Sequence, residues 1–228
     1  MLASRRHALT QVAIALGGVD CYELLRRVVT PDWPLAIRHA REVLGWERVV
    51  HLDWEAPVEA AVLRVPELLR ALDVFYFAAH FGLTAVFFCW LYRRSRPAFR
   101  RFRDGFLAST ALALLVHWRF PAAPPRLADV GPVRTDFGLG SWSNPVAAIP
   151  SLHAGWALGV GVGVALHARR RRWRLAGALY PAAVAFTILA TGNHFVLDAV
   201  AGVAVLGAGF AAASVLDWVL ATRGGAVR

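Results

Sequence analysis

The residues best placed to do chemistry in this chain are two histidines far apart in the sequence, His153 in "PSLHAG" and His194 in "NHFVLDAVAG". Asp198 follows His194 by one helical turn, so the two share a face. A carboxylate there accepts a hydrogen bond from one imidazole N–H, fixes the tautomer and leaves the other nitrogen nucleophilic. Left unpaired, the same carboxylate would be costly inside an apolar helix. His153 stands in the first turn of its own apolar stretch, behind Pro150, which has no amide proton, and Ser151, which can cap the helix or donate its hydroxyl. Such a helix start offers free N–H groups that attract phosphate. Arg126 follows Pro124 and Pro125 on a stiff loop, and a planar guanidinium held that way suits bidentate phosphate binding. Arg134, further along that loop, reads as a headgroup contact. Two histidines and an aspartate could instead hold zinc, with activity then lost on chelation.

The elements that carry these residues are apolar. Of 228 residues, 57% are hydrophobic and 18% charged, too greasy for an ordinary soluble domain. Several runs reach the length needed to cross about 30 Å of hydrocarbon. The expectation is an all-α, polytopic membrane helix bundle, one domain over residues 1–228 with its core motifs in 119–202. About six spans are expected. Residues 7–27 give a weakly hydrophobic first span, with Asp20 and Glu23 near its end, although its basic start also resembles a secretory signal. Later spans cover about 68–91, 105–118, PSLH to 168, 175–191 and 195–220. Residues 30–66 read as one or two amphipathic helices at the interface, with Trp33, Trp46 and Trp54 towards headgroups. "RRSRPAFRRFR" reads as a linker, and 119–150 as a proline- and glycine-rich loop. Trp90, Trp118, Trp173 and Trp218 fit an interfacial belt. Cys21 and Cys89 fall inside helices, where packing is their expected use.

The net charge of +10 does not point to nucleic acid, because the arginines cluster between apolar runs as topology signals. If the first helix spans, the blocks at Arg5–Arg6, Arg93 to Arg103, Arg169 to Arg174 and the tail share one side, the cytoplasmic one. Both termini then lie in the cytoplasm, and the 119–150 loop, the PSLH turn and residues 191–194 converge on the extracytoplasmic face of the inner membrane. Gly155, Gly159 and Gly163 recur every fourth residue and form an expected packing face.

PSLH, followed by HxxxD after a PPR loop, resembles the type 2 phosphatidic acid phosphatase superfamily of membrane phosphatases and phosphotransferases. Within it the chain looks more like the inositol phosphorylceramide synthase branch. The resemblance spans about residues 76–202. It implies that His194 attacks phosphorus to form a phosphohistidine, that Asp198 orients it and that His153 protonates the leaving oxygen. Ser151 would contact the phosphate, with no metal or other cofactor. It also implies a lipid phosphate as substrate in the bilayer and, in the synthase-like branch, a polyol or sugar acceptor. Two departures stand out. No KxxxxxxRP motif is present, and Ile188 occupies the position where the wider family has an arginine six residues before the nucleophile. Arg126 is expected to supply part of that charge. Tyr76 and His80 match a Y-x-x-x-H feature of related sequences. With Asn144 and Asn193 they are candidates for a supporting layer. The competing class is a non-catalytic transporter or membrane scaffold, for which an internal repeat would be expected.

Overall fold

The computed structural model describes Gln11, residues 32–128 and residues 146–225. Backbone contacts divide the chain into Met1–Asp32 and Trp33–Arg228, and the fold below is that of the second unit. The expected span at 7–27, Cys21, Arg134 and Asn144 lie outside the described residues.

The described residues are helical, with one isolated bridge between Ala122 and Ala147. Helix α1 runs Trp33–Val49, α2 Glu55–Leu63 and α3 Pro66–Arg94, the last interrupted by a π-helical segment at Ala78–Leu83. Helix α4 covers Arg96–Arg119, and a single 3-10 turn follows at Pro125–Leu127. The PSLH helix, α5, runs Leu152–His167; α6 runs Arg171–Ala190 and α7 Val196–Gly225.

Three of these, α3, α6 and α7, are long and apolar enough to cross a membrane. The other two stretches expected to span differ for physical reasons. Helix α5 is apolar but only 16 residues long. Helix α4 has 24 residues, but Arg100, Arg101, Arg103 and Asp104 occupy its first half. The basic stretch expected to be a linker is therefore mostly helix. Ser95 alone breaks the chain, and its Oγ caps α4 by accepting from Ala98 N at 3.3 Å. Cys89 is a free thiol on the outward face of α3, not in packing.

Helix α5 sits at the centre of the bundle, against α6 and α7, and its glycines are the reason it fits. A Cβ on Gly155 would meet Gly202 O at 2.7 Å, and one on Gly159 would meet the Phe106 ring at 2.5 Å. At Gly202 itself a Cβ would run into Ser151 O. Close approach of α5 and α7 at this end is therefore possible only without side chains. The basic ends gather at the opposite end, where the His167 ring meets Phe102 edge-on at 6.0 Å. The end of α4, the start of α5, the end of α6 and the start of α7 share the other.

Helix α1 is amphipathic, as expected, whereas α2 is a short, largely apolar helix whose buried face carries Glu55 and Glu59; Trp33, Trp46 and Trp54 are exposed. Their inner faces do more than rest on a surface. Ala36, Ala40 and Val43 of α1 form a core with Ala123, Val146 and Phe195. This packing brings α1 onto the loop that precedes α5 and onto the start of α7.

Candidate active site

Gly192, with φ +59°, turns the chain sharply between α6 and α7, a conformation that favours glycine. A Cβ there would also meet Glu59 Oε1 at 2.6 Å. Two amides of the turn, Asn193 N and His194 N, donate to Ile188 O at 3.0 and 3.2 Å. His194 thus leaves the turn at a fixed angle and is 5% exposed, while Asp198 is fully buried. Its Nδ1 lies 2.9 Å from Ala148 O and 3.3 Å from Asp198 Oδ2. Both neighbours are acceptors here, so Nδ1 carries the proton and Nε2 keeps the lone pair. The contact expected between His194 and Asp198 is present, with a nearer partner than the sequence offered. That partner is a backbone carbonyl delivered by the short pairing of residues 121–123 with 146–148, where Ala122 N donates to Val146 O and Ala148 N to Ala122 O.

Ser151 is fully buried and caps α5, its Oγ accepting from Ala154 N at 3.3 Å. Its own amide donates to Asp198 O at 2.9 Å, stitching the two helix starts together. In the first turn of α5, the His153 ring stacks on Tyr76 at 3.9 Å and on His80 at 4.0 Å. His80 in turn stacks on Trp156 at 4.7 Å. His80 sits in the π-helical segment of α3, a distortion often found at functional sites. The His153 and His194 rings stand 5.7 Å apart between centroids, inclined at 51°. Arg126 reaches the same turn, with Nε donating to Asn193 Oδ1 at 2.8 Å and its amide to Gly192 O at 3.1 Å. Asn193 Nδ2 donates to Thr191 Oγ1 at 2.7 Å.

The structure therefore brings together His153, His194, Asp198, Ser151, Tyr76 and His80, and ties Arg126 and Asn193 to the turn that carries His194. Ile188, at the departed position, is fully buried in an apolar cluster. Among the described residues no group of three His, Cys, Asp or Glu side chains forms a metal cage.

Three site residues are absent from the sequence expectation. His117, in the last turn of α4, approaches Pro150 O with Nε2 at 3.1 Å and braces the PSLH turn. Glu47 of α1 and Glu55 of α2 are buried and reach the start of α7. Leu197 N donates to Glu47 Oε1 and Val196 N to Glu55 Oε1, each at 2.7 Å. Burial pushes the Glu47 carboxyl up to about 8, and burial raises Glu55 as well. A signal was available for Glu47, since Ala36, Ala40 and Val43 mark one helical stripe whose next position is this carboxylate.

A family model described as the PAP2 superfamily matches residues 41–212. No curated protein and no solved structure matches the chain.

Proposed function

The chain belongs to the PAP2 superfamily, and from that premise we propose that it is a lipid phosphate phosphatase acting through a phosphohistidine on His194. One observation carries this reading: two imidazoles 5.7 Å apart, one of them with its Nδ1 proton committed to two acceptors. His194 Nε2 attacks phosphorus, and the P–N bond forms as the P–O bond to the lipid alcohol breaks. His153 gives its proton to the departing oxygen. Water then attacks the phosphohistidine, His153 takes the proton back, and inorganic phosphate leaves as the P–N bond breaks. Arg126 and the opening amides of α5 offset the charge that builds on the phosphoryl oxygens. No metal takes part.

Three apolar helices together with the family make this a membrane protein. The finer placement is part of the proposal. Helices α3 to α7 span the membrane, their arginine-rich ends lie in the cytoplasm, and the site opens on the extracytoplasmic face of the inner membrane. Cysteine labelling in the 119–150 loop tests this, and access only from the cytoplasm inverts it.

The chemical test is a brief incubation of detergent-solubilised protein with a labelled lipid phosphate. An acid-labile, base-stable label is expected on His194 and is absent in His194→Ala, and EDTA leaves turnover unchanged. Loss of turnover on chelation and its return with zinc would replace this mechanism with a metal-assisted one. A second reading, transfer of the phosphoryl-bearing group to a polyol or sugar, is favoured by Ile188. An arginine is missing where the phosphatase pattern has one, and Arg126 comes from the PPR loop instead. Diversion of label from inorganic phosphate to a new ester by added inositol selects that reading.

A further inference from the structure

Helix α7 begins with a residue that cannot cap it. Phe195 has no side-chain acceptor, so the first amides of the helix need partners from elsewhere. Asp198 reaches back to Phe195 N at 2.9 Å, which is half of a capping box. The next two amides, Val196 and Leu197, are answered from 141 and 150 residues away by Glu55 and Glu47. Three carboxylates thus finish three consecutive amides immediately after the histidine read as the nucleophile.

We propose that Glu47 and Glu55 are positioning residues for the reaction: they share one proton as a carboxyl pair and together seat the turn that carries His194. The proposal rests on the reading of His194 given above. Helices α1 and α2 thereby become part of the active site's frame.

The chemistry of the pair follows from what surrounds it. Glu47 Oε2 is buried with no donor in hydrogen-bonding range, and the group facing it is the carboxyl of Glu55. A proton on Glu47 makes the hydrogen bond that two carboxylates cannot make. Asp198 of α7 is the next acid facing both. Around the same turn stand Glu59 of α2, beside Gly192, and Arg126, bound to Asn193; His194 lies against Asp198. With one shared proton the pair carries a single negative charge opposite the positive end of α7, a favourable arrangement. Glu47 holds its proton more tightly in the folded protein than at its ordinary 4.5, so the seat is favoured at low pH and weakens as pH rises through about 8. Above that, two anions face each other beside Asp198, and the amides of Val196 and Leu197 lose their geometry.

Steady-state rates of the full chain in detergent, measured against pH, test this. Glu47→Ala is expected to lower kcat by about 100-fold through misplacement of His194, with KM little changed. Glu47→Gln keeps an oxygen for Leu197 N and offers an N–H to Glu55 at every pH. It is expected to hold the wild-type kcat at neutral pH and to move the alkaline limb up by about one pH unit or more. Hydrogen exchange of the peptide spanning 195–198, corrected for intrinsic rates, gives a readout independent of turnover. Its protection should fall above pH 8 in the wild type and persist in Glu47→Gln. An alkaline limb and exchange profile in Glu47→Gln identical to the wild type overturn the inference, as does an unimpaired kcat in Glu47→Ala. If His194→Ala stays active, the reading of the nucleophile falls instead. The exchange profiles then still decide whether the pair seats the turn.

Discussion

Two helices begin in this site, and they are finished in opposite ways. At the start of α7, three carboxylates close the amides of residues 195 to 197, and a backbone carbonyl and Asp198 hold the His194 ring. At the start of α5, Ser151 answers the amides of Ala154 and Gly155, and among the described residues no hydrogen bond reaches the His153 ring. That ring is held by its faces, between Tyr76 and His80. The proposed mechanism gives this contrast a use: a nucleophile must approach phosphorus along one line in one tautomer, which hydrogen bonds would enforce. A general acid must gain and lose a proton in each cycle, and stacking fixes its plane without committing either nitrogen. The negative collar of α7 disfavours an anion there, so in the proposed mechanism the opening turn of α5 receives the phosphate.

The sharpest way to break this contrast is to remove each imidazole. His194→Ala should lower turnover of a lipid phosphate by at least about 10⁴-fold, whatever the leaving group. His153→Ala should cost about 10²–10⁴-fold with an alkyl phosphate and far less with an aryl phosphate, whose leaving oxygen needs no proton. Turnover assays with the two substrates on both variants check this. Equal rescue of both variants by the aryl ester would mean that the two rings do not divide the work.

Asp198→Asn comes next in size. Where a carboxylate alone fixes the tautomer, its amide can permit the wrong one, at a loss of about 10⁴-fold. Here Ala148 O holds the same proton at the shorter distance, 2.9 Å against 3.3 Å. The expected loss in kcat is therefore smaller, about 100-fold. A full 10⁴-fold loss would show that the carbonyl is a bystander.

Much of this arrangement was legible in the sequence because it is local. HxxxD places His194 and Asp198 on one helical face, PSLH announces a capped helix start, and small residues at every fourth position mark where α5 meets its neighbours. What was not legible depends on distant segments meeting. Nothing in "PVAAIP" says that Ala148 O will face an imidazole, because that follows from its pairing with residues 121–123. Glu47 and Glu55 lie in a stretch whose mixed polarity reads as interfacial, and only the packing of α1 on Phe195 and of α2 on Ala190 turns those carboxylates inward. Helix α4 is longer than the expected span because arginines, which signal a membrane boundary, favour helix equally well. A basic stretch can be both.

The smallest expected effect probes the stacked side of the contrast. Tyr76 lies 3.9 Å from His153 with the planes 17° apart, so its ring face, more than its edge, meets the imidazole. An aromatic face favours a cation above it, which supports the protonated state a general acid needs. Such pairs are worth about 0.5–1.5 kcal/mol beyond the area they bury, a factor of about 2–10 in rate if felt only when His153 is charged. Tyr76→Phe keeps the face and should leave kcat within about twofold. Tyr76→Leu removes it and should lower kcat by that factor of about 2–10 for alkyl phosphates, with little change for aryl phosphates, since only the alkyl ester needs the proton. If Tyr76→Phe falls as far as Tyr76→Leu, the phenol oxygen matters and stacking is not what holds His153 ready. If the leucine variant loses equally on both esters, Tyr76 supports the fold of α3 and not the protonated ring.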